Sequence, residues 1–344
     1  MTKFTIESYS DEIAPSLAQM WNESDDQWPG TFTRGVPLTA ERVQKWMGEV
    51  DYLMNLVVKQ DDGKIVGYGS LRDTPNQSGV SCYVPLLNVH PDFQGKSLCR
   101  LMLNQMVECA TENSYQRMTI GTWSGNLKSI PLYKKVGFYW TPGVDVHMEN
   151  FIPAVRQLPF AKSFFEKTDW YKDFSRELQQ VPDDMRHPQT GDMKVYICRW
   201  ENNGDYLNAI IDREGQSITG IETPTFAACA VVDDSNPAQG FRYGISWCLE
   251  NRTTMPMTVM LHTDADEGVD INFQSKVTLA PGEKRRLESS FVCTVDAPAI
   301  DFEDKWEALP RPHIHTHIAV DDFAFSLATG LSYRPAIEIS VEPD

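Results

Sequence analysis

One segment in the first half of the chain predicts a strand that ends, turns through a glycine-containing loop and enters a helix. The segment reads Leu87-Asn-Val-His-Pro-Asp-Phe-Gln94-Gly-Lys-Ser-Leu-Cys-Arg100. The first N–H groups of a helix have no partner inside the helix, and the helix dipole favours negative charge at that end. Lys96 and Arg100 would add positive charge. The segment therefore indicates a binding site for a phosphate or diphosphate group.

A second segment, Asn126-Leu-Lys-Ser-Ile-Pro-Leu-Tyr133-Lys-Lys-Val-Gly137-Phe138, predicts a short helix downstream. Together the two segments resemble the GNAT N-acetyltransferase superfamily. The first matches its Gln/Arg-x-x-Gly-x-Gly/Ala loop after a Leu-x-Val-x-Pro strand end, and the second matches its Asn-x-x-Ala-x-x-Leu-Tyr-x-x-x-Gly-Phe helix. The order of elements predicted around them, β-α-α-β-β-β-α-β-α-β over residues 3–150, agrees with a mixed central sheet flanked by helices.

The resemblance implies roles for individual residues and acetyl-CoA as co-substrate. Around Asn88, the backbone groups of Leu87 and Val89 would hold the pantetheine arm and the acetyl carbonyl. Asn126 would cap its helix and contact the cofactor arm, and the hydroxyl of Tyr133 would protonate the leaving thiolate. The diphosphate would be wrapped by the loop of Gln94, Gly95, Lys96, Ser97, Leu98, Cys99 and Arg100.

Two positions of the loop depart from the family pattern. Where the family prefers glycines, this chain has Ser97 and Cys99, so the backbone would approach the diphosphate less closely. The hydroxyl of Ser97 could compensate as a hydrogen-bond donor. Cys99 stands at a helix start, where the pKa of a thiol tends to fall, and its oxidation or alkylation could block cofactor entry. The alternative for Cys99 is a small residue packed beneath the loop.

The general base is harder to identify, because the strand predicted over residues 81–89 contains no Asp, Glu or His. His147 or Glu149, on the last predicted strand, could accept the proton of the amine directly or through water. An imidazole suits the task because it titrates near neutral pH, although an unassigned histidine can equally be structural. An acceptor cleft, or else the core, would be lined by Trp21, Trp28, Phe32, Tyr83, Trp123 and Trp140.

The second half of the chain has a different pattern. The length of 344 residues favours two domains, since single cores rarely grow beyond ~250–300 residues. From Val195 onward, short β-like runs recur at roughly ten-residue spacing between turn residues, which is typical of an antiparallel sandwich or barrel. The runs resemble an immunoglobulin-like β-sandwich in architecture alone. We predict a GNAT domain over 1–150, a helical connector over 151–190 and an all-β sandwich over 191–344.

Charge and cysteine usage limit the partners. A formal net charge of −17 argues against nucleic acid and anionic membranes, which need clustered basic residues. The 7 Cys residues form an odd set without a close pair, and no apolar run has the length of a signal peptide or a membrane span, so we expect a cytoplasmic protein. The sequence leaves the oligomeric state open, a homodimer included. His313, His315 and His317 alternate on one strand face and either bind metal or form a polar face; we expect no metal.

These features predict an N-acetyltransferase that moves an acetyl group from acetyl-CoA to a primary amine, with the acceptor unspecified. One alternative is a non-catalytic acyl-CoA-binding protein whose sandwich recognises a polymer or a protein. A third possibility is a carbohydrate-binding sandwich that targets an acyltransferase. Intact Tyr133 and Asn126 favour the enzyme, because a decayed site would have little reason to keep both.

Overall fold

The computed structural model describes residues 3–28, 30–74, 80–143, 145–294, 311–321 and 323–332. The chain forms two compact units. We call Met1–Pro153 together with Leu178–Val181 the N-terminal unit, and Ala154–Glu177 together with Pro182–Asp344 the C-terminal unit. Among the described residues, no helix has both the length and the apolar character needed to cross a membrane.

The N-terminal unit is a mixed sheet with helices. Its helices are α1 (Ala14–Glu23), α2 (Ala40–Gly48), α3 (Leu98–Glu112) and α4 (Ser129–Lys135), and α5 (Ile152–Gln157) begins at its end. Its strands are β1 (Phe4–Ser8), β2 (Tyr52–Gln60), β3 (Ile65–Asp73), β4 (Ser81–Val84), β5 (Leu87–Val89), β6 (Arg117–Thr122), β7 (Tyr139–Thr141) and β8 (Val146–Asn150). The sheet order is β1-β2-β3-β4-β6-β8-β7, with β5 paired to β3. Only the β4–β6 pair is parallel among these described strands.

Local sequence signals explain several of these elements. Thr39 caps α2, since its hydroxyl accepts a hydrogen bond from the Arg42 N–H at 3.3 Å. The turn between β2 and β3 uses Gly63 at a φ of 91°, which glycine adopts without steric cost. The sequence pattern predicts a helix after Pro91 through Ala110, and its start is wrong. The chain forms a 3₁₀ turn over Pro91–Phe93, and α3 starts only at Leu98. The short strand β7 is not predicted by the sequence pattern.

The predicted strand over residues 81–89 is broken in the middle. Its first half, β4, pairs with β3 at Arg72–Tyr83 and Asp73–Cys82 and runs parallel to β6. Its second half, β5, pairs with β3 alone, and the chain between the two halves is Pro85-Leu86. Proline lacks the N–H needed for a regular ladder, so it marks the place where pairing can change. The sheet therefore splits, with β5 on one side and β6 on the other.

Helices cover both faces of this sheet. On one face, α1 buries Leu17, Met20 and Trp21 against Tyr68 of β3. On the other face, α3 approaches so closely that a Cβ at Gly69 would lie 2.8 Å from the methyl carbon of Met106. Burial of side chains of this size stabilises the fold by ~1.5–3 kcal/mol each. The core thus fixes the helix whose start carries the predicted cofactor loop.

After most of α5 and the short helix α6 (Ala161–Phe165), the described part of the C-terminal unit is all-β, which confirms the predicted fold class. A seven-stranded antiparallel sheet has the order β15-β17-β13-β12-β11-β10-β9, and a four-stranded antiparallel sheet the order β16-β14-β18-β19. The strands are β9 (Val195–Asn202), β10 (Asp205–Asp212), β11 (Ser217–Glu222), β12 (Phe226–Val232), β13 (Arg242–Asn251), β14 (Met257–Ala265), β15 (Val269–Asp270), β16 (Gln274–Leu279), β17 (Lys284–Cys293), β18 (His313–Val320) and β19 (Phe323–Gly330).

Trp247 joins the two sheets of this unit. Its ring is fully buried and stacks on Phe273 with centroids 4.6 Å apart. Its indole Nε1 donates a hydrogen bond of 2.9 Å to the hydroxyl of Thr316 on the four-stranded sheet. A buried indole N–H needs such a partner, since leaving it unpaired would cost free energy. The inner faces of the two sheets therefore share one core.

Candidate functional site

The predicted cofactor loop is exposed and has two residues in the left-handed backbone region. Gln94 to Ser97 are all exposed, and α3 begins at the next residue, Leu98. The φ angles are 77° at Gly95 and 63° at Ser97. The first N–H groups of a helix have no partner inside the helix, and this loop leads directly into those of α3. An anion site at this helix start stays a prediction.

Ser97 takes the left-handed conformation that glycine adopts freely. For a residue with a Cβ this conformation costs roughly 1–2 kcal/mol. A Cβ at Gly95 would meet no atom within 4 Å, so there the backbone angle, and not space, favours glycine. Ser97 thus has the same left-handed backbone conformation as a glycine would, but with backbone strain.

Basic side chains flank the loop. The Lys96 ammonium lies 4.8 Å from the centroid of the Phe93 ring and 5.7 Å from that of Phe4. Rings within about 6 Å attract a cation, so they hold this exposed charge near the loop. Arg100, half-buried in the first turn of α3, is the second basic side chain. Within the loop, Gln94 donates a hydrogen bond of 3.4 Å from its amide nitrogen to the carbonyl of Val89.

A histidine that the sequence analysis did not single out anchors the start of the loop. His90 is buried, and its Nε2 lies 3.1 Å from Oε2 of Glu23 on α1. Its Nδ1 accepts a hydrogen bond from the Asp92 N–H at 3.3 Å, which leaves Nε2 as the donor to Glu23. The Glu23 carboxylate also accepts from Gln19 and Lys64, and these contacts lower its pKa. The only sequence signal for this role is the position of His90 between the strand and Pro91.

The free edge of β5 faces the split in the sheet. In the β3–β5 ladder, Ser70 donates to the Leu86 carbonyl at 3.0 Å and His90 donates to the Val66 carbonyl at 2.9 Å. Because residues of an antiparallel strand alternate in direction, Leu87 and Val89 direct their N–H and C=O groups away from β3. These are the residues for which the sequence predicts contacts with the pantetheine arm.

Tyr133 lies on α4 and is only 6% exposed. Burial raises the pKa of its hydroxyl, and a hydrogen bond with the Ser129 side chain opposes this effect. Electrostatic interaction with the Cys99 and Tyr83 side chains raises the pKa further. A phenol that keeps its proton at neutral pH can act as an acid and not as a base.

The pKa of the Cys99 thiol differs from the value expected at a helix start. Burial raises the pKa of its thiol to about 12, so the predicted lowering at a helix start is wrong. Removal of water from the thiolate outweighs the helix dipole here. The thiol is neutral and packed at the start of α3, in agreement with the alternative of a small residue beneath the loop.

Asn126 does not cap α4, which corrects a second expectation. The helix begins at Ser129 and its N-cap position is Lys128. The side-chain amide of Asn126 instead donates a hydrogen bond of 2.8 Å to the hydroxyl of Thr122 at the end of β6. Asn126 therefore fixes the turn between β6 and α4 and remains half-exposed beside the split.

The two candidate bases differ in environment. Glu149 is 1% exposed. Its carboxylate accepts a hydrogen bond of 2.8 Å from the Arg117 guanidinium and another of 3.2 Å from the Thr141 hydroxyl. Arg117 is itself buried and its Nε donates to the hydroxyl of Ser81. The side chain of His147 is 53% exposed, and its Nε2 lies 3.8 Å from the Glu149 carboxylate. Glu149 thus belongs to a buried ion pair, whereas His147 can meet a substrate.

Four of the six aromatic residues proposed for the acceptor side form a connected series. Ring centroids are 6.4 Å apart for Trp123 and Trp28, 5.1 Å for Trp28 and Phe32, and 5.4 Å for Phe32 and Trp21. Trp21 is buried in the core, whereas Trp123 is 38% exposed. The series therefore runs from the core to a surface beside the end of β6. Tyr83 is half-buried and close to Tyr133.

The alternating histidines of β18 bind carboxylates. His315 and His317 lie 3.0 Å from Asp266 and 2.7 Å from Asp264, and the His317 ring stacks on His262. Over the described ranges, no group of three or more His, Cys, Asp or Glu is arranged to hold a metal ion. The three histidine side chains are half-buried on this polar face.

A family model described as "Acetyltransferase (GNAT) family" matches residues 17–138. With the loop, the split sheet and the helix order described above, the N-terminal unit has the GNAT fold, as predicted from the sequence.

Part of the chain is similar to individual known proteins. The L-amino acid N-acyltransferase MnaT of Escherichia coli is 32% identical over 87 residues, which is 25% of this chain and 51% of the relative. The L-methionine sulfoximine/L-methionine sulfone acetyltransferase of Salmonella typhimurium is 32% identical over 84 residues, 24% of this chain and 49% of the relative. The chain thus spans about half the length of these curated relatives. The solved structure of yncA from Salmonella typhimurium with its cofactor acetyl-CoA aligns with a TM-score of 0.37 and 21% identity, covering 43% of this chain and 94% of that one.

Proposed function

We propose that the chain is an acetyl-CoA-dependent N-acyltransferase that moves an acetyl group to a primary amine. The observation that carries the proposal is the exposed Gln94–Ser97 loop at the start of α3, directly after a strand whose free edge faces the split. The loop and the basic side chains of Lys96 and Arg100 would hold the diphosphate. Leu87 and Val89 would bind the pantetheine arm through their backbone groups.

The residues around the split have complementary roles in this proposal. The amine nitrogen attacks the thioester carbonyl, and the developing oxyanion accepts hydrogen bonds from N–H groups of β5. The C–S bond then breaks, and the leaving sulfur takes the proton of Tyr133. The phenol is suited to this step because burial keeps it protonated at neutral pH. The attacking nitrogen loses a proton to a base, and Tyr133 is reprotonated from solvent.

We assign the base to His147 in preference to Glu149. The buried Glu149 carboxylate accepts hydrogen bonds from Arg117 and Thr141. Few of its lone pairs are left to accept a proton from a substrate. His147 is exposed and near this carboxylate, which stabilises the imidazolium formed after proton transfer. Glu149 would then support His147 and would not itself contact the amine.

The acceptor would enter beside the exposed end of the aromatic series at Trp123 and Trp28. Aromatic faces attract ammonium groups and apolar side chains alike. The two relatives described above are named for acetyl or acyl transfer to amino acids and amino-acid derivatives. Free amino acids are therefore the first acceptors to test.

The test is an amine screen with acetyl-CoA, in which release of free thiol is measured for the full chain. Amine-dependent thiol release with an N-acetylated product supports the proposal. Saturable acetyl-CoA binding without turnover on any amine would instead favour the non-catalytic acyl-CoA-binding protein. Failure to bind acetyl-CoA would reject both functions.

We further propose that the two antiparallel sheets of the C-terminal unit form an immunoglobulin-like sandwich over 191–344, joined to a domain over 1–150 by the segment 151–190. In the described part of the chain, six cysteines are free thiols, which supports the cytoplasm as the compartment: Cys82, Cys99, Cys109, Cys229, Cys248 and Cys293. Sedimentation of the full chain tests the homodimer. Binding to an array of sugars tests whether the sandwich recognises carbohydrate.

A further inference from the structure

A short segment returns to the N-terminal unit from a stretch that belongs to the C-terminal unit. Leu178–Val181 packs with the N-terminal unit, whereas residues 154–177 before it and residues 182–344 after it belong to the other unit. We call Leu178–Val181 the strap. Its four residues are exposed, with Leu178 at 41% and Val181 at 51%. The strap is thus a surface segment and not part of a core.

The strap contacts both ends of the α4 region. The side-chain amide of Gln180 donates a hydrogen bond of 3.3 Å to the carbonyl of Leu127, just before the helix. At the other end, the ammonium of Lys134 donates a hydrogen bond of 2.9 Å to the carbonyl of Val181. Lys134 is only 4% exposed, which is uncommon for lysine. A buried ammonium needs acceptors, so this bond ties the helix firmly to the strap.

α4 depends on contacts of this kind. It has 7 residues, no side-chain hydrogen bond at its N-cap, and a proline at position 131. Isolated helices shorter than about 12–15 residues are marginal in water, so packing must fix this one. After the helix, Asn150 donates a hydrogen bond of 2.9 Å to the Val136 carbonyl. The strap supplies the corresponding contact before the helix and a second one in its last turn.

The residues that the strap binds are neighbours of the candidate site residues. Leu127 follows Asn126, and Lys134 follows Tyr133. We propose that the strap is a positioning element for the acyl transfer, which holds Asn126 and Tyr133 in place through Gln180 and Lys134. This inference rests on the proposed function, and it gives the chain leading to the C-terminal unit a part in catalysis. Lys134 and Gln180 are positioning residues, since neither contacts the reacting atoms.

The test compares Lys134→Met and Gln180→Ala with the wild-type full chain. Lys134→Met keeps the length of the side chain and removes the hydrogen bond, and Lys135→Met is the matched control because Lys135 is exposed on the same helix. Misplacement of a reacting group by 1 Å can cost ~100-fold in rate, so we expect Lys134→Met to lower kcat by ~10–100-fold. Gln180→Ala, at an exposed position, should lower kcat by a smaller factor and keep the fold.

Three measurements separate positioning from general destabilisation. The KM for acetyl-CoA should change less than kcat, because the diphosphate loop lies on α3. The basic limb of the kcat–pH profile should shift, because the environment of the Tyr133 hydroxyl changes. Tm should stay within a few degrees of the wild type in Gln180→Ala.

Unchanged kcat and pH profile in both variants, with an active wild type, would overturn the inference. If Lys134→Met does not fold, Gln180→Ala decides alone. A wild type without turnover on any amine would count against the proposed function. In that case we would compare the affinity for acetyl-CoA in the same variants. An affinity that changes in Lys134→Met and not in Lys135→Met would support the strap as a positioning element of the cofactor site. An unchanged affinity in Lys134→Met would reject this role of the strap.

Discussion

The imidazole of His90 joins α1 to the cofactor loop, with its Nε2 3.1 Å from Oε2 of Glu23. The other ring nitrogen accepts the Asp92 N–H, so one buried side chain fixes both the end of β5 and the turn that follows it. The exposed loop over residues 94–97 therefore starts from a fixed point.

Replacement of His90 by alanine should weaken acetyl-CoA binding. A hydrogen bond to a charged group contributes ~1.5–3 kcal/mol, and its loss lets the loop leave the geometry that the diphosphate needs. We expect a rise in Kd of about tenfold or more by calorimetry, with partial recovery in His90→Gln, whose amide can still donate to Glu23. Asp92→Asn is the control, since the Asp92 side chain is 80% exposed. Equal Kd values in wild type and His90→Ala would show that the loop needs no such anchor.

Ser97→Gly should stabilise the protein and bind acetyl-CoA at least as well as the wild type. Glycine removes a left-handed strain of roughly 1–2 kcal/mol, although its greater freedom in the unfolded chain offsets part of the gain. Ser97→Asp keeps the strain and places a negative charge beside the diphosphate, so its affinity should fall. The checks are Tm without ligand and Kd for all three proteins. Identical affinities would place the diphosphate elsewhere.

Tyr133→Phe should lower kcat by ~10²–10⁴-fold, the usual loss for a missing general acid, with little change in acetyl-CoA affinity. The ring remains in place, so Tm should stay near the wild-type value. Steady-state kinetics with an acceptor found in the screen, together with calorimetry, measure both quantities. Full turnover in the variant would reduce Tyr133 to a buried aromatic of α4.

Two variants distinguish the role of the buried Glu149–Arg117 ion pair from that of the exposed His147. Glu149→Gln leaves the Arg117 guanidinium buried without its counter-charge, and breaking such a pair typically costs ~3–5 kcal/mol. His147→Gln, at an exposed position, should leave urea unfolding unchanged and lower kcat at neutral pH, because the variant has no base to accept the proton of the amine. If Glu149→Gln instead kept its stability and lost all activity, Glu149 would be the base.

Stability of the C-terminal unit should fall as the pH rises through the range in which Asp212 titrates, from 3.8 to about 6. Burial raises the pKa of Asp212 from 3.8 to about 6, despite backbone hydrogen bonds that favour the charged form. Between these values the folded state keeps a proton that the unfolded chain releases, so folding is progressively disfavoured up to about pH 6 and by a constant amount above it. The cost is ~3 kcal/mol at most.

Asp212→Asn should remove this slope and stabilise the protein at neutral pH. The amide oxygen can still accept the hydrogen bond that the Glu214 N–H now makes at 3.0 Å. Urea unfolding at several pH values measures the slope, with Asp192→Asn at an exposed position as the control. A slope that persists in Asp212→Asn would assign it to another group.

The fold of the N-terminal unit was predictable because its signals are local. The Thr39 cap, the Gly63 turn and the alternating strands each depend on neighbouring residues. The break at Pro85-Leu86 was not predicted, since a single proline does not reveal which strand each half will join. Likewise β7 has only three residues, too few for a recognisable alternation.

The candidate site was predictable where a motif includes the residue, as for the loop and Tyr133. The residues that pair with each other across the fold could not be predicted from the sequence. Glu23 and His90 are 67 positions apart, and Arg117 and Glu149 are 32 apart, so only the folded sheet brings each pair together. The pKa of Cys99 was misjudged for the same reason, because burial depends on packing that sequence position alone does not show.

The split in the sheet divides the N-terminal unit into two sets of strands that share a very short ladder. Among the described residues, the β3–β4 ladder consists of Arg72–Tyr83 and Asp73–Cys82, extended by one hydrogen bond of 2.9 Å from the Thr74 N–H to the Ser81 carbonyl. β5 stays with β3, and β6 stays with β4. A junction this short is a natural place for local opening, in which amide hydrogens exchange with solvent without global unfolding. An extended ligand that hydrogen-bonds to the free edge of β5 would act as an additional strand there. Slowed amide exchange in β5 and β6 on acetyl-CoA binding would therefore show the two halves becoming one cooperative sheet.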